Sequence, residues 1–169
     1  MNYSPILIVS GEPNSIFLEI YFKILRLNKI KSPLILISSE RLLRLQMKKL
    51  RFKKKIRNLD ISKLDQYKLN NSSINLINVK YNPKKAFEKI SKNSNRFLKN
   101  SFEIAFKILK QGKIKKFING PISKNKFLDK KFLGFTEFIS ESFSKKNTCM
   151  LIYNANLSVC PITTHLPIK

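Results

Sequence analysis

The chain opens with a continuous branched apolar run, "PILIVS" from Pro5 to Ser10, which stops at "GEPN". An unbroken apolar run of this kind is the pattern of a parallel strand covered on both faces, and Gly, Pro and Asn together mark a turn. In the following "SIFLEIYFKILRLNK", Ile16, Ile20, Ile24 and Leu27 recur on one stripe, widened by Phe17 and Leu25. That spacing predicts an amphipathic helix, capped by Asn14 or Ser15. Strand, turn and helix make the opening of a βαβ unit.

The pattern then repeats. "PLILISS" reads as a second strand and "SERLLRLQMKKLRFKKK" as a second helix, with Ser38 or Ser39 as N-cap and the cations gathered at the C-terminal end. Residues 58–73 read as a loop-rich connection, and "INLINVKY" as a strand. A helical pattern runs from Pro83 to Gln111 with Gly112 as its C′ residue, and "SKNSNR" in its middle marks a kink or break. After the short strand "KKFIN" and the turn "GPIS", a helix is expected to begin at Thr136. "TCMLIYN" and "LSVCPITTH" then form two strands joined by a tight turn. Strands are thus expected near residues 6–10, 33–38, 74–80, 115–119, 149–154 and 157–164. Alternating strands and helices with one hairpin predict an α/β fold, in a single domain without repeat or linker.

Charge complicates this picture. The 169 residues carry 34 Lys+Arg against 10 Asp+Glu, a formal net charge of +24, which is the footprint of many nucleic-acid binders. The segment "KKLRFKKKIR", Lys48 to Arg57, suits that reading best, since Phe52 among the cations offers a ring for base stacking. Against it, the cations are mostly Lys, whereas bidentate phosphate and guanine recognition favours Arg, and an abundance of Lys, Ile and Asn is what AT-rich coding produces. Cys149 and Cys160 have no metal-ligand spacing and lie in apolar runs, so both are expected to be buried and reduced. No run reaches the roughly 20 apolar residues of a membrane helix and no signal peptide opens the chain, so a cytoplasmic protein is expected.

Candidate chemistry is sparse. "SGEPN" has one Gly and none of the spacing of a dinucleotide or P-loop fingerprint. "NGPISKNK" sets Lys124, a cation able to hold a phosphate or carboxylate, just after a turn. "GFTEF" brings Thr136 and Glu137 to a helix start, where the carboxylate also favours the helix dipole. His165 is the one histidine, at the exit of an expected strand, where open α/β sheets bind ligands. Alone it reads as a structural residue ahead of a ligand, because a metal site commonly takes three protein ligands.

In their order and spacing, "IVSGEPNSI", "INGPISKNKF", "GFTEF" and "ITTHLPIK" resemble the signature segments of the 4-hydroxythreonine-4-phosphate dehydrogenase family. The resemblance covers the whole chain and only the N-terminal half of such a protein, so residues 1–169 are expected to be part of a dehydrogenase whose C-terminal half is absent. It implies a fold like that of isocitrate and isopropylmalate dehydrogenases, a mixed sheet flanked by helices, here truncated. It also implies NAD- or NADP-dependent oxidation and decarboxylation of 4-phosphooxy-threonine in pyridoxal phosphate biosynthesis, assisted by zinc, magnesium or cobalt, in a homodimer that shares the metal site. His165 matches the family's metal-binding histidine, Thr136 its substrate-binding threonine, and Lys124 the lysine after the Gly-Pro turn. Phe135 stands where the family has histidine, and Asn14, Ser15, Phe17 and Leu18 depart from its glycine turn, which points to 4-phosphothreonate or a similar phosphorylated hydroxy acid as an alternative substrate. The 169-residue chain alone is expected to be inactive.

Overall fold

The computed structural model describes residues 3–128, 132, 134–144 and 148–162. They divide into two compact units, Met1–Ile122 and Ser123–Lys169. In the first, β1 (Ile6–Val9), β2 (Leu34–Ser38), β3 (Ile56–Asn58), β4 (Ile74–Asn78) and β5 (Lys116–Asn119) form one sheet in the order β3-β4-β2-β1-β5. Every pairing in it is parallel. Parallel neighbours require crossovers, and these run through α1 (Phe17–Leu27), α2 (Glu40–Lys49) and α3 (Lys92–Lys110). Right-handed crossovers put α1 and α2 together on one face and α3, packed on β1 and β2, on the other. All five residues of β2 are buried, as a strand covered on both faces must be.

The apolar pattern located α1 but misplaced its inner face. Leu18, Tyr21, Phe22 and Leu25 are buried, whereas Ile16, Ile20 and Leu27 are 64%, 44% and 62% exposed. This helix is apolar around most of its circumference, so spacing alone cannot choose a side, and the larger Tyr21 and Phe22 rings take the core. Its N-cap is Ile16, which makes no side-chain cap, although the Ser15 hydroxyl accepts from the Phe17 N–H at 3.4 Å.

Helix α2 begins as expected, with the Ser39 hydroxyl accepting from the Leu42 N–H, but it stops at Lys49. Arg51 takes a left-handed φ of 50°, and the chain turns back so that the Phe52 N–H reaches the Met47 carbonyl at 2.9 Å. The residues after it form β3, a strand that the basic run concealed, and a 3-10 turn from Ile61 to Gln66. Phe52 is buried, its ring stacked on Phe22 at 4.5 Å with the Arg26 guanidinium 5.4 Å from its centroid. It is therefore not available to stack on a base.

The long helix expected between Pro83 and Gln111 forms only from Lys92 to Lys110. "SKNSNR" is its start: Ser91 and Ser94 form a reciprocal capping box, each hydroxyl accepting from the other's backbone N–H. Serines that are poor in a helix interior are good at its first turn. The preceding residues turn around Glu88, whose carboxylate accepts from the N–H groups of Lys84 and Lys85. Gly112, with φ 77°, ends α3 as expected.

In the second unit α4 (Lys124–Phe127) and α5 (Phe135–Ser142) pack through Phe127 and Phe138, ring to ring at 5.5 Å. The strands β6 (Ile152–Tyr153) and β7 (Ser158–Val159) form the expected antiparallel hairpin as a separate two-stranded sheet. Both strands are shorter than the sequence suggested, and residues 163–164 lie outside the described residues. Cys149 and Cys160 are exposed, which corrects the expectation of buried thiols. Short strands at the end of a two-stranded ribbon have no second layer to enter. Among the described residues no helix is long and apolar enough to cross a membrane.

If Phe52 is a packing residue, Phe52→Ala should lower unfolding stability in urea by about 3 kcal/mol. Replacing the exposed Lys53 and Lys55 by Glu should change it by less than about 1 kcal/mol.

Candidate functional site

The parallel register aligns the carboxyl ends of β1, β2, β4 and β5, and four polar segments leave the sheet there. Because Val9 pairs with Ile37, the next residues, Ser10 and Ser38, face each other, and the Ser10 hydroxyl donates to that of Ser38 at 2.9 Å in a buried contact. Across the other side of β1, the Gly120 N–H donates to the Val9 carbonyl and the Glu12 N–H to the Pro121 carbonyl, both at 2.8 Å. The turns "SGEP" and "NGP" therefore touch backbone to backbone. Gly11 has φ 70°, and a Cβ there would sit 2.6 Å from the Gly120 carbonyl carbon; one on Gly120 would overlap the Ser10 carbonyl. These two positions need glycine, for conformation at Gly11 and for close approach at both.

A second set of contacts ties this rim to α2 and to the segment after β4. Gln46, buried on α2, donates through Nε2 to the Pro13 carbonyl at 2.7 Å and the Ala86 carbonyl at 2.8 Å. The Ser39 hydroxyl donates to the Tyr81 carbonyl at 2.6 Å. Tyr81 stacks on Phe97 at 4.9 Å and donates its hydroxyl to the Glu88 carboxylate at 3.4 Å. Burial pushes its pKa up to about 12, with the charges of Glu88 and Glu12 adding to the effect, so at neutral pH it is a fixed donor.

The chain leaves β2 toward one face and β4 toward the other, which makes the β2/β4 junction a topological switch point. A crevice of about 840 Å³ lies there, and Arg41, Arg44, Lys48 and Lys80 line it with Glu40 and Asn78. Arg41 donates to the Pro83 carbonyl at 3.0 Å, and Arg44 pairs with Glu40 at 2.6 Å. Glu40 also accepts from Asn58 Nδ2 at 2.7 Å. Those hydrogen bonds, Asn58 first and then Arg44, hold the Glu40 carboxyl below its ordinary pKa. The crevice carries an excess of positive charge and fits an anionic ligand. A cleft of about 490 Å³ at the opposite, amino ends of the strands, between Tyr3, Pro33, Tyr67 and Ile114, shares none of these residues.

Of the residues singled out from sequence, Lys124 and Thr136 both belong to the second unit. Lys124 is the exposed first residue of α4, and Thr136 is the second residue of α5, half-buried in its first turn. The Phe127–Phe138 contact packs their two helices together. Phe135 lies 5.6 Å from Phe138, ring to ring, so the position before Thr136 serves an aromatic cluster. His165 lies outside the described residues. Sequence reasoning missed the Ser10–Ser38 pair, Gln46 and Tyr81; a serine directly after each of two aligned apolar runs was the signal available for the first.

Two outcomes test the first unit's rim. Gly120→Ala should lower stability by roughly 1–3 kcal/mol, read from the urea midpoint, because backbone must move to admit the methyl group. A carboxylate with a depressed folded pKa stabilises above its unfolded pKa, near 4.5, and loses that contribution as pH falls through the folded value. Wild type should exceed Glu40→Gln by about 1 kcal/mol at pH 7, a gap that closes in acid below that window.

The family model described as pyridoxal phosphate biosynthetic protein PdxA matches residues 29–169. A search of curated proteins returns no match. Among solved structures, a 4-hydroxythreonine-4-phosphate dehydrogenase from Burkholderia phymatum superposes with a TM-score of 0.81 at 21% identity, over 98% of this chain and 52% of that one. The enzyme of the same name from Klebsiella pneumoniae gives 0.79 at 18%, again over 98% and 52%. The present chain thus spans about half the length of these structures, and at such identities they establish the shared fold. With a family match that takes in the "NGPISK" turn, "GFTEF" and "TTHLP", the chain belongs to the PdxA family of pyridoxal phosphate biosynthetic proteins.

Proposed function

We propose that the chain is the N-terminal part of a 4-hydroxythreonine-4-phosphate dehydrogenase. The observation that carries this reading is the family match, which spans all three site-bearing segments after residue 29. In the reaction, the substrate hydroxyl gives up a proton and its carbon a hydride to NAD or NADP, and the resulting β-keto acid loses CO2. Lys124, exposed at the start of α4, offers a cation to the substrate's phosphate or carboxylate. The Thr136 hydroxyl, in the first turn of α5, offers a hydrogen bond.

His165 is assigned as one divalent-metal ligand, with the others supplied by a longer chain and its homodimeric partner. A bound cation lowers the pKa of a coordinated hydroxyl and stabilises developing negative charge. Among the described residues no group of three or more His, Cys, Asp and Glu side chains is placed to hold a metal. The metal assignment therefore rests on the family alone.

A second reading has its own support. Phe135 packs into the aromatic cluster and offers no hydrogen bond to substrate, which favours a related phosphorylated four-carbon hydroxy acid such as 4-phosphothreonate. The nucleic-acid reading, in contrast, loses its stacking residue to the Phe22–Phe52 pair.

The test is binding of 4-hydroxythreonine 4-phosphate and 4-phosphothreonate to the 169-residue chain, followed by NMR titration, together with a turnover assay. Without the remaining ligands the chain should bind weakly and turn over neither compound with NAD or NADP. Lys124→Ala and Thr136→Ala should each weaken binding about tenfold, the worth of one charge-assisted hydrogen bond. Phe135→His should shift preference toward 4-hydroxythreonine 4-phosphate. Failure to bind either acid, alongside RNA binding that weakens steeply with salt, would overturn the proposal.

A further inference from the structure

Arg41, Arg44 and Lys48 stand three and four residues apart on α2, so they form one stripe along its exposed side. The stripe runs about 10 Å along the helix, room for a chain of linked phosphates instead of a single one. It lines the crevice at the β2/β4 junction together with Lys80, which is exposed just after β4. A second concavity, of about 590 Å³, shares Leu45 and Lys48 with that crevice and adds Lys49, Lys85 and Phe87. The two are thus one groove along the outside of α2. Neither the sheet's glycine turns nor Lys124 and Thr136 belong to it.

Six cations line this groove against a single carboxylate, Glu40, which Arg44 and Asn58 already hold at 2.6 Å and 2.7 Å. Two of the cations are fixed in place: Arg41 donates through Nε to the Pro83 carbonyl at 3.0 Å, and Arg44 is held by its ion pair with Glu40. Guanidinium groups ordered in advance lose little further freedom when an anion binds. At the other end Phe87 is 39% exposed, unlike the core ring Phe52. The backbone around it is anchored, since the Ala86 carbonyl accepts from Gln46 Nε2 at 2.8 Å and the Glu88 carboxylate accepts from the N–H groups of Lys84 and Lys85.

We propose that this groove binds a nucleoside triphosphate, its phosphates held by Arg41, Arg44, Lys48 and Lys80 and its base laid on the Phe87 ring. Adjacent phosphates match a row of cations better than one phosphate does, because each added charge meets a further Lys or Arg. The exposed face of an aromatic ring stacks on any base and so adds affinity without choosing among bases. The combined concavities have the size of pockets that take small organic ligands. This assignment is independent of the dehydrogenase reading, whose residues lie in the second unit.

The experiment titrates the 169-residue chain with ATP, GTP, inorganic tripolyphosphate, orthophosphate and NAD by calorimetry at near-physiological salt. ATP and GTP should bind alike, tripolyphosphate several-fold more weakly, and orthophosphate and the less charged NAD at least tenfold more weakly than ATP. Lys48→Ala and Lys80→Ala should each weaken ATP binding about tenfold. Phe87→Ala should weaken ATP several-fold and leave tripolyphosphate unchanged, and Lys107→Ala, an exposed lysine of α3, should change neither. Far-ultraviolet circular dichroism checks that each variant is folded. Equal losses from Lys107→Ala and Lys48→Ala would overturn the proposal, since the protein's diffuse charge would then account for the binding. NAD binding as tightly as ATP would overturn it as well, as would an unstructured RNA oligonucleotide bound through these residues when ATP is not.

Discussion

The rest of the structure depends on β2 being buried on both faces and paired on both edges. A strand in that position has no access to water for its backbone groups, so β1 and β4 must supply every partner, in parallel and in register. Parallel pairing obliges helical crossovers, and the right-handed rule assigns α1 and α2 to one face and α3 to the other. The same register sets Ser10 opposite Ser38 and brings the glycine turns after β1 and β5 into backbone contact. The polar rim at the carboxyl ends is thus a consequence of how the apolar layer is paired.

The high positive charge is carried outside this framework. Cations crowd the end of α2 and the chain after it, yet the ring among them, Phe52, points into the core against Phe22. A cationic concavity in the first unit is instead shaped by the topology of the sheet: where β2 and β4 send the chain to opposite faces, Arg41, Arg44, Lys48 and Lys80 come together. Glu40 and Asn58 bind part of that charge into the fold, joining α2 to the edge strand β3.

Much of the fold was legible in the sequence because its strands are unambiguous. "PILIV" and "PLILIS" are branched, apolar and bounded by turn residues, and both became central strands within a residue of the expected limits. The family-bearing segments were also legible, since a turn such as "NGPISK" keeps its chemistry in local order. What failed was wherever two local readings had similar free energy. "SKNSNR" reads equally as a flaw inside a helix or as the start of one, and the capping box between Ser91 and Ser94 decided for the start. The basic run after Lys49 hid β3, whose strand character comes from its pairing with β4.

By itself the sequence determined the βαβ alternation, the terminal hairpin and the family, because these reside in short-range pattern and in the order of motifs. Tertiary structure alone decided which side of α1 faces inward, since that helix offers apolar side chains all round and only the volume available above the sheet selects Tyr21 and Phe22 over Ile16 and Ile20. It likewise decided that Gln46 would bridge Pro13 and Ala86, and that Cys149 and Cys160 would stand exposed instead of in a core. Such contacts join residues far apart along the chain, and their free energy depends on packing that no local window of sequence contains.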